Sequence, residues 1–111
     1  MYEIIFSKIM DSDIDQNYLY IKETLEAPKV AEKLYSELYE KLNEISENPF
    51  KRPLVQDKYL ASLGIRSIKV KKYLLFYNIS EEINAVNIIR FMHGLRDWIN
   101  ILKEIPLEEI I

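Results

Sequence analysis

Apolar and polar positions alternate over Tyr2–Ser7, where Tyr2, Ile4 and Phe6 stand against Glu3, Ile5 and Ser7. A period of two predicts a strand. The period then lengthens. Ile14, Tyr18, Ile21 and Leu25 recur at four, three and four, which is one face of a helix. Asp11-Ser12-Asp13 supplies oxygens for its N-terminus, and Ser12 with Asp15 has the spacing of a capping box. Ala27-Pro28 interrupts the pattern, because proline disfavours helical geometry before it and suits the first turn after it. A second helix therefore starts near Pro28. Its stripe is Ala31, Leu34, Leu38, Leu42 and Ile45, widened by Tyr35 and Tyr39, and it stops at Asn48-Pro49. Two amphipathic helices joined so briefly form an antiparallel hairpin.

Residues Pro49–Leu63 predict a loop with one helical turn. The stretch from Gly64 to Trp98 is the one around which the remainder is arranged. Ile65–Lys71 alternates, with Arg66, Ile68 and Val70 on one side and Ser67, Lys69 and Lys71 on the other. Tyr73–Ile79 is apolar almost throughout, as a strand buried on both faces requires. Ser80-Glu81-Glu82 breaks the run, and Ile83–Met92 is β-rich again. Leu95, Trp98, Leu102 and Ile105 then repeat at three, four and three, which predicts a short helix ending before Pro106. The tail Leu107–Ile111 reads as a partner contact or a frayed end. Runs of helix followed by strand indicate an α+β fold. The expected architecture is a small antiparallel β-sheet packed against an N-terminal helical hairpin, with a short C-terminal helix. The first strand joins the sheet by a long return, and the second face is partly open.

Composition narrows the function classes. At 111 residues the chain is expected to be one domain, 1–111, with a real core. It has no cysteine, hence no disulfide or thiolate metal site, and this fits a cytoplasmic protein. No apolar run reaches the roughly 18 residues of a membrane span, and the first residues lack the pattern of a signal peptide. The net charge of −3 hides an asymmetry: residues 1–50 carry 5 basic and 11 acidic side chains, residues 51–100 carry 9 and 4. Two surfaces with different partners, or simply Glu-rich helices, account for that equally well.

The reactive residue types are concentrated in one cationic set, Arg66, Lys69, Lys71, Lys72, Arg90, His93 and Arg96, interleaved with Tyr59, Tyr73 and Tyr77. Cations hold phosphates and rings stack on bases, so the set suits single-stranded nucleic acid. Cleavage of RNA by its 2′-OH needs an acid or base, which His93 can supply, and cations around the phosphorane, such as Arg96 and the lysines. Composition and spacing alone favour the plainer reading: a hydrogen-bonded turn histidine, an Arg96–Asp97 ion pair, and lysines guarding an edge strand. No metal spacing and no phosphate loop are present, so neither a metal nor a cofactor is expected.

These residues resemble the RelE/ParE superfamily of bacterial type II toxins over nearly the whole chain. The resemblance is carried by Tyr2–Ser7, the helical hairpin ending Asn48-Pro49-Phe50, the run Gly64-Ile65-Arg66, Lys72–Tyr77, and Ile88–Trp98 with its turn His93-Gly94-Leu95-Arg96-Asp97. It implies a growth-inhibiting toxin neutralised by a cognate antitoxin in a hetero-oligomer, with no membrane association. The superfamily divides by target. RelE-like members cut mRNA in the ribosome without metal; ParE-like members poison DNA gyrase. The resemblance makes His93, Arg96, Arg66 and Lys69 the catalytic candidates for a nuclease, with Lys71, Lys72, Tyr73 and Arg90 as binding candidates. Leu74, however, stands after Tyr73 where such nucleases place an arginine. That departure, the acidic whole chain and the long helices favour the ParE-like side. A degenerate toxin that only binds its antitoxin is the third reading.

Overall fold

The computed structural model describes residues 1–110. Strand β1 (Glu3–Phe6) is followed by helix α1 (Lys8–Leu19), a π-helical turn over Tyr20–Thr24 and helix α2 (Pro28–Glu47). Helix α3 (Lys58–Ser62), strands β2 (Arg66–Val70), β3 (Tyr73–Ser80) and β4 (Ala85–His93), and helices α4 (Trp98–Lys103) and α5 (Leu107–Ile110) complete the chain. The sheet order is β1-β4-β3-β2. The α+β fold, with the helical hairpin on one face of the sheet, is therefore as the periodicities indicate.

Four details differ from the sequence expectation. First, the β2-β3-β4 meander is antiparallel, but β1 runs parallel to β4, with Glu3 opposite Ala85 and Phe6 opposite Ile88, so the sheet is mixed. Second, α1 begins at Lys8 rather than near Ser12. The Ser7 hydroxyl accepts from the Met10 amide at 2.9 Å and donates to the Ile89 carbonyl at 2.8 Å, so it caps the helix and ties it to β4. Ser12 instead sits inside the helix and accepts from Gln16 Nε2. Third, Lys71 belongs to the turn after β2, not to the strand. Fourth, the second face of the sheet is covered. Leu60, Phe76, Ile89, Met92, Leu102 and Ile110 form a second core cluster beneath α3, α4 and α5. The tail is part of this cover: the Asn78 side-chain amide donates to the Ile110 carbonyl at 2.7 Å. Ile111, the last residue of the expected tail, lies outside the described residues.

The first core cluster joins the hairpin stripe (Ala31, Leu34, Leu38, Leu42, Ile45) to Ile68, Val70, Leu75, Tyr77 and Ile88. Burying each such side chain contributes roughly 1.5–3 kcal/mol. Within the hairpin, Tyr18 and Tyr35 stack at 4.8 Å, and the Tyr35 hydroxyl donates to the Ile14 carbonyl at 2.6 Å.

Helix α1 is fixed to the sheet by a different device. Strand β1 ends at Phe6, which leaves the outer edge of β4 without a partner strand beyond Ile88. Side chains of α1 take over. Asp13 accepts the Phe91 amide at 3.0 Å, and Asn17 donates to the Phe91 carbonyl at 3.1 Å. The Asp13 carboxylate is buried and also receives Arg90 through Nε and Nη2, each at 2.7 Å. A bulge makes this possible. Phe76 faces Arg90 while Tyr77 faces Ile88, so Ile89 is an extra residue that turns the Arg90 side chain toward α1.

Removing one partner of a buried, hydrogen-bonded pair leaves a bare charge. Asp13→Ala is expected to lower unfolding free energy by about 3–5 kcal/mol in a urea titration, with the Asp13→Leu/Arg90→Leu double variant recovering part of it. Tyr35 gives a pH test. Burial first, then the Asp15 charge and the Tyr39 and Tyr18 phenols, push its pKa from 10.0 to about 12. The folded state therefore holds this proton more tightly than the unfolded chain. Its contribution is intact below pH 10 and is lost as pH rises through about 12. Tyr35→Phe is expected to show a shallower fall in urea midpoint across that window.

Candidate functional site

The strand ends of β2, β3 and β4 meet at one corner of the sheet. Val70 pairs with Tyr73, so Lys71-Lys72 forms a two-residue turn, and Lys71 lies at φ 54. Tyr73 faces His93 across the next ladder. The Gly94 amide then donates to the Lys72 carbonyl at 2.8 Å. A Cβ on Gly94 would lie 3.3 Å from that carbonyl oxygen, so this close approach of two backbones favours glycine.

His93 is held in one orientation. Its Nδ1 accepts the Leu95 amide at 3.1 Å, and its ring meets the Tyr73 ring edge-on at 5.3 Å. An accepting Nδ1 places the proton of the neutral imidazole on Nε2. Lys69, Lys72, His93, Gly94 and Leu95 line an open cleft of about 390 Å³. Leu95 is 91% exposed at its rim.

A second groove, of about 470 Å³, adjoins the first through Lys72 and His93. Its other walls are Lys71, Tyr73 and the apolar side chains Tyr20, Ile21, Leu25, Val30 and Leu34 at the corner of the helical hairpin. Tyr20, Leu25 and Val30 are each about half exposed. The corner is not regular helix. The Leu25 amide reaches back to the Tyr20 carbonyl and the Ala27 amide to that of Ile21, and Glu26 lies at φ 50. Left-handed backbone at a non-glycine residue is uncommon, yet Glu26 and Lys71 both adopt it at this groove. The Lys71 ammonium is 3.1 Å from Glu37. Burial first, then Tyr20, raises the Tyr73 hydroxyl above the usual tyrosine range, so it is neutral at physiological pH.

The structure thus brings together Lys69, Lys71, Lys72, Tyr73 and His93 from the sequence candidates. It does not bring Arg66 or Arg90 to them, whereas Arg96 stays in the same turn, its amide donating to the His93 carbonyl at 3.1 Å. Arg66 pairs with Tyr77, four residues from the turn, or about 13 Å along the strand. Its guanidinium lies over the Phe50 ring and donates to the Arg52 carbonyl. Arg90 is engaged by Asp13. Arg96 is exposed and forms no ion pair among the described residues; Asp97 instead accepts from Asn100. Sequence reasoning overlooked Tyr20, Leu25, Val30 and Leu95 as site residues. Their signal was present: large apolar side chains beside Pro28 and beside Gly94, where no buried stripe needs all of them. Chemically, two ammonium groups and an imidazole have the charge to hold an anion, and the adjoining apolar groove has the lining to accept a nonpolar surface.

Comparison with known proteins adds the following. A family model described as the ParE toxin of type II toxin–antitoxin system, parDE, matches residues 4–98. No curated protein sequence matches significantly. Among solved structures, the chain resembles one from the chromosomal ParDE system of P. aeruginosa at a TM-score of 0.65 and 13% identity, covering 84% of this chain and 96% of that one. A chain of the RelBE2 toxin–antitoxin complex from Mycobacterium tuberculosis aligns at 0.59 and 20%, covering 83% and 96%. A chain of the intact E. coli RelBE complex aligns at 0.55 and 19%, covering 86% and 100%. At these identities the structural likeness establishes the fold.

The strained corner gives a direct test. Glu26→Gly removes the left-handed penalty and is expected to raise unfolding free energy by up to about 1 kcal/mol in urea.

Proposed function

This chain belongs to the ParE toxin family of type II toxin–antitoxin systems, and we propose that it is a cytoplasmic, single-domain, growth-inhibiting toxin that acts on DNA gyrase and is neutralised by a cognate antitoxin. The observation that carries this reading is the fate of the cations. Arg66 and Arg90 are spent on Phe50, the Arg52 carbonyl and Asp13, so the cleft at His93 has two lysines as its cations. Stabilising a phosphorane calls for charges converging on one point. A shallow cleft beside an apolar groove suits protein docking better. The two similar RelBE structures are toxin–antitoxin complexes, which supports a proteinaceous partner here.

A second reading rests on His93 itself. An imidazole oriented through Nδ1 and fixed beside Lys69 and Lys72 has the parts of a metal-independent ribonuclease acting on mRNA in the ribosome. Under that reading Arg96, exposed nearby, closes on the phosphate when substrate binds.

Controlled expression in a bacterial host, followed by primer extension on a translated reporter, separates the two. The expected outcome is intact mRNA, an SOS response and filamentous cells. His93→Ala is expected to keep toxicity within a few-fold, and the Lys69→Glu/Lys72→Glu double variant to lose at least tenfold. Translation-dependent cuts that vanish in His93→Ala and Arg96→Ala would replace the gyrase reading with the nuclease. Unimpeded growth on induction would indicate a module that only binds its antitoxin.

A further inference from the structure

The two edges of the sheet are finished differently. At the β2 edge, Leu54 bridges to Arg66 and the Val55 amide bonds to the Ile65 carbonyl. Exposed Lys69 and the lysine turn guard what remains, as charged edges do in soluble proteins. Strand β1 forms the opposite edge, has no lysine along it, and carries Glu3 as its one charged side chain.

The backbone accounting of β1 is explicit. The amides of Glu3 and Ser7 point inward to Asn84 and Ile88. By alternation, Tyr2, Ile4 and Phe6 present their N–H and C=O outward. Both outward groups of Tyr2 are satisfied by Ser46 of α2, whose carbonyl accepts the Tyr2 amide at 2.8 Å and whose hydroxyl donates to the Tyr2 carbonyl at 2.6 Å. Those of Ile4 and Phe6 have no hydrogen-bond partner among the described residues.

Open troughs flank this short edge on both faces. One, of about 620 Å³, lies against α2 between Phe6, Tyr39 and Leu42; the other, of about 120 Å³, lies against α5. Among the described residues the one charged side chain lining each trough is a glutamate, Glu40 on the first and Glu109 on the second. Glu3 stands exposed on the strand itself. None of the three forms an ion pair with a described residue. The nearest cation along the chain is Lys8, in the first turn of α1, where with Glu109 it lines an adjoining trough of about 380 Å³ past the end of the strand; beside Ile4 and Phe6 the charges are carboxylates.

We propose that the free edge of β1 docks an extended, cationic segment of a partner protein, which adds to the sheet as a fifth strand. Four hydrogen bonds to Ile4 and Phe6 supply the pairing. Alternate side chains of the incoming strand enter the two troughs. Carboxylates on both sides select lysine or arginine there. The surface lies at the opposite edge of the sheet from the Lys69–Lys72 cleft and is independent of the toxin's target.

The test uses the purified full chain titrated with a synthetic eight-residue peptide of lysine, valine and threonine, and with the same peptide carrying glutamate for lysine. Amide exchange is read by NMR. The lysine peptide is expected to slow exchange at Ile4 and Phe6 at least tenfold at saturation, with no effect from the glutamate peptide. Ile4→Pro removes an outward amide without touching the ladder to β4, and is expected to abolish binding. Should that variant fail to fold, Glu40→Lys/Glu109→Lys carries the test and is expected to weaken binding at least tenfold. Equal binding of both peptides, saturable binding that leaves Ile4 and Phe6 unprotected, or no binding at millimolar peptide overturns the proposal. Protection that grows with protein concentration alone also overturns it, and makes a second copy of the chain the occupant.

Discussion

The fold turns on the carboxylate of Asp13. Strand β4 is central, yet half of its outer edge has no neighbouring strand. Exposed backbone at that point would let the sheet fray beside the site. Helix α1 prevents this by presenting Ser7, Asp13 and Asn17 in succession to the β4 backbone. Side chains thereby finish a ladder that backbone began. Asp13 does more than accept an amide, because the same oxygen that receives Phe91 also receives the Arg90 guanidinium. A buried carboxylate is tolerated when its acceptor positions are filled in this way.

The same contact decides the chemistry of the corner. The bulge at Ile89 that delivers Arg90 to Asp13 also resets the alternation of β4, and in that register His93 faces Tyr73. The arginine most central in the sequence cluster is therefore structural, and the histidine three ladder steps away lines the open cleft. A cationic stretch in the sequence becomes, in the fold, two arginines holding the frame and a lysine–histidine rim around open grooves.

Much of this was legible. The hairpin stripe from Ala31 to Ile45 and the doubly buried β3 follow from periodicity, since each pattern admits one kind of neighbour. The direction of β1 was not legible, because alternation specifies faces and says nothing about parallel or antiparallel pairing. The N-terminus of α1 was misplaced because two serines, Ser7 and Ser12, were eligible caps and only the contact of Ser7 with β4 chooses between them. The covered second face was implicit in Leu74 and Phe76 but obscured by the shortness of α3, α4 and α5. As for the site, residue type grouped the cations by sequence neighbourhood alone. It could not reveal that Arg66 lies several ladder steps from the turn or that Arg90 faces a helix from the start of the chain.

The pairing of β1 with β4 carries a consequence for when this molecule comes into being. Ser7 and its partner Ile89 are 82 residues apart, and the Ile110 carbonyl is bonded at the centre of the sheet through Asn78. During synthesis the first strand has no neighbour until Ala85–Ile88 has been made, and α5, which covers the second face, follows later still. The hairpin can form from local contacts early in synthesis, but the corner bearing His93 is assembled only once β3 and β4 are both available. Until β4 is complete the first strand and the hairpin lie without the ladder that joins them, and a partner present then meets the protein before its sheet is sealed.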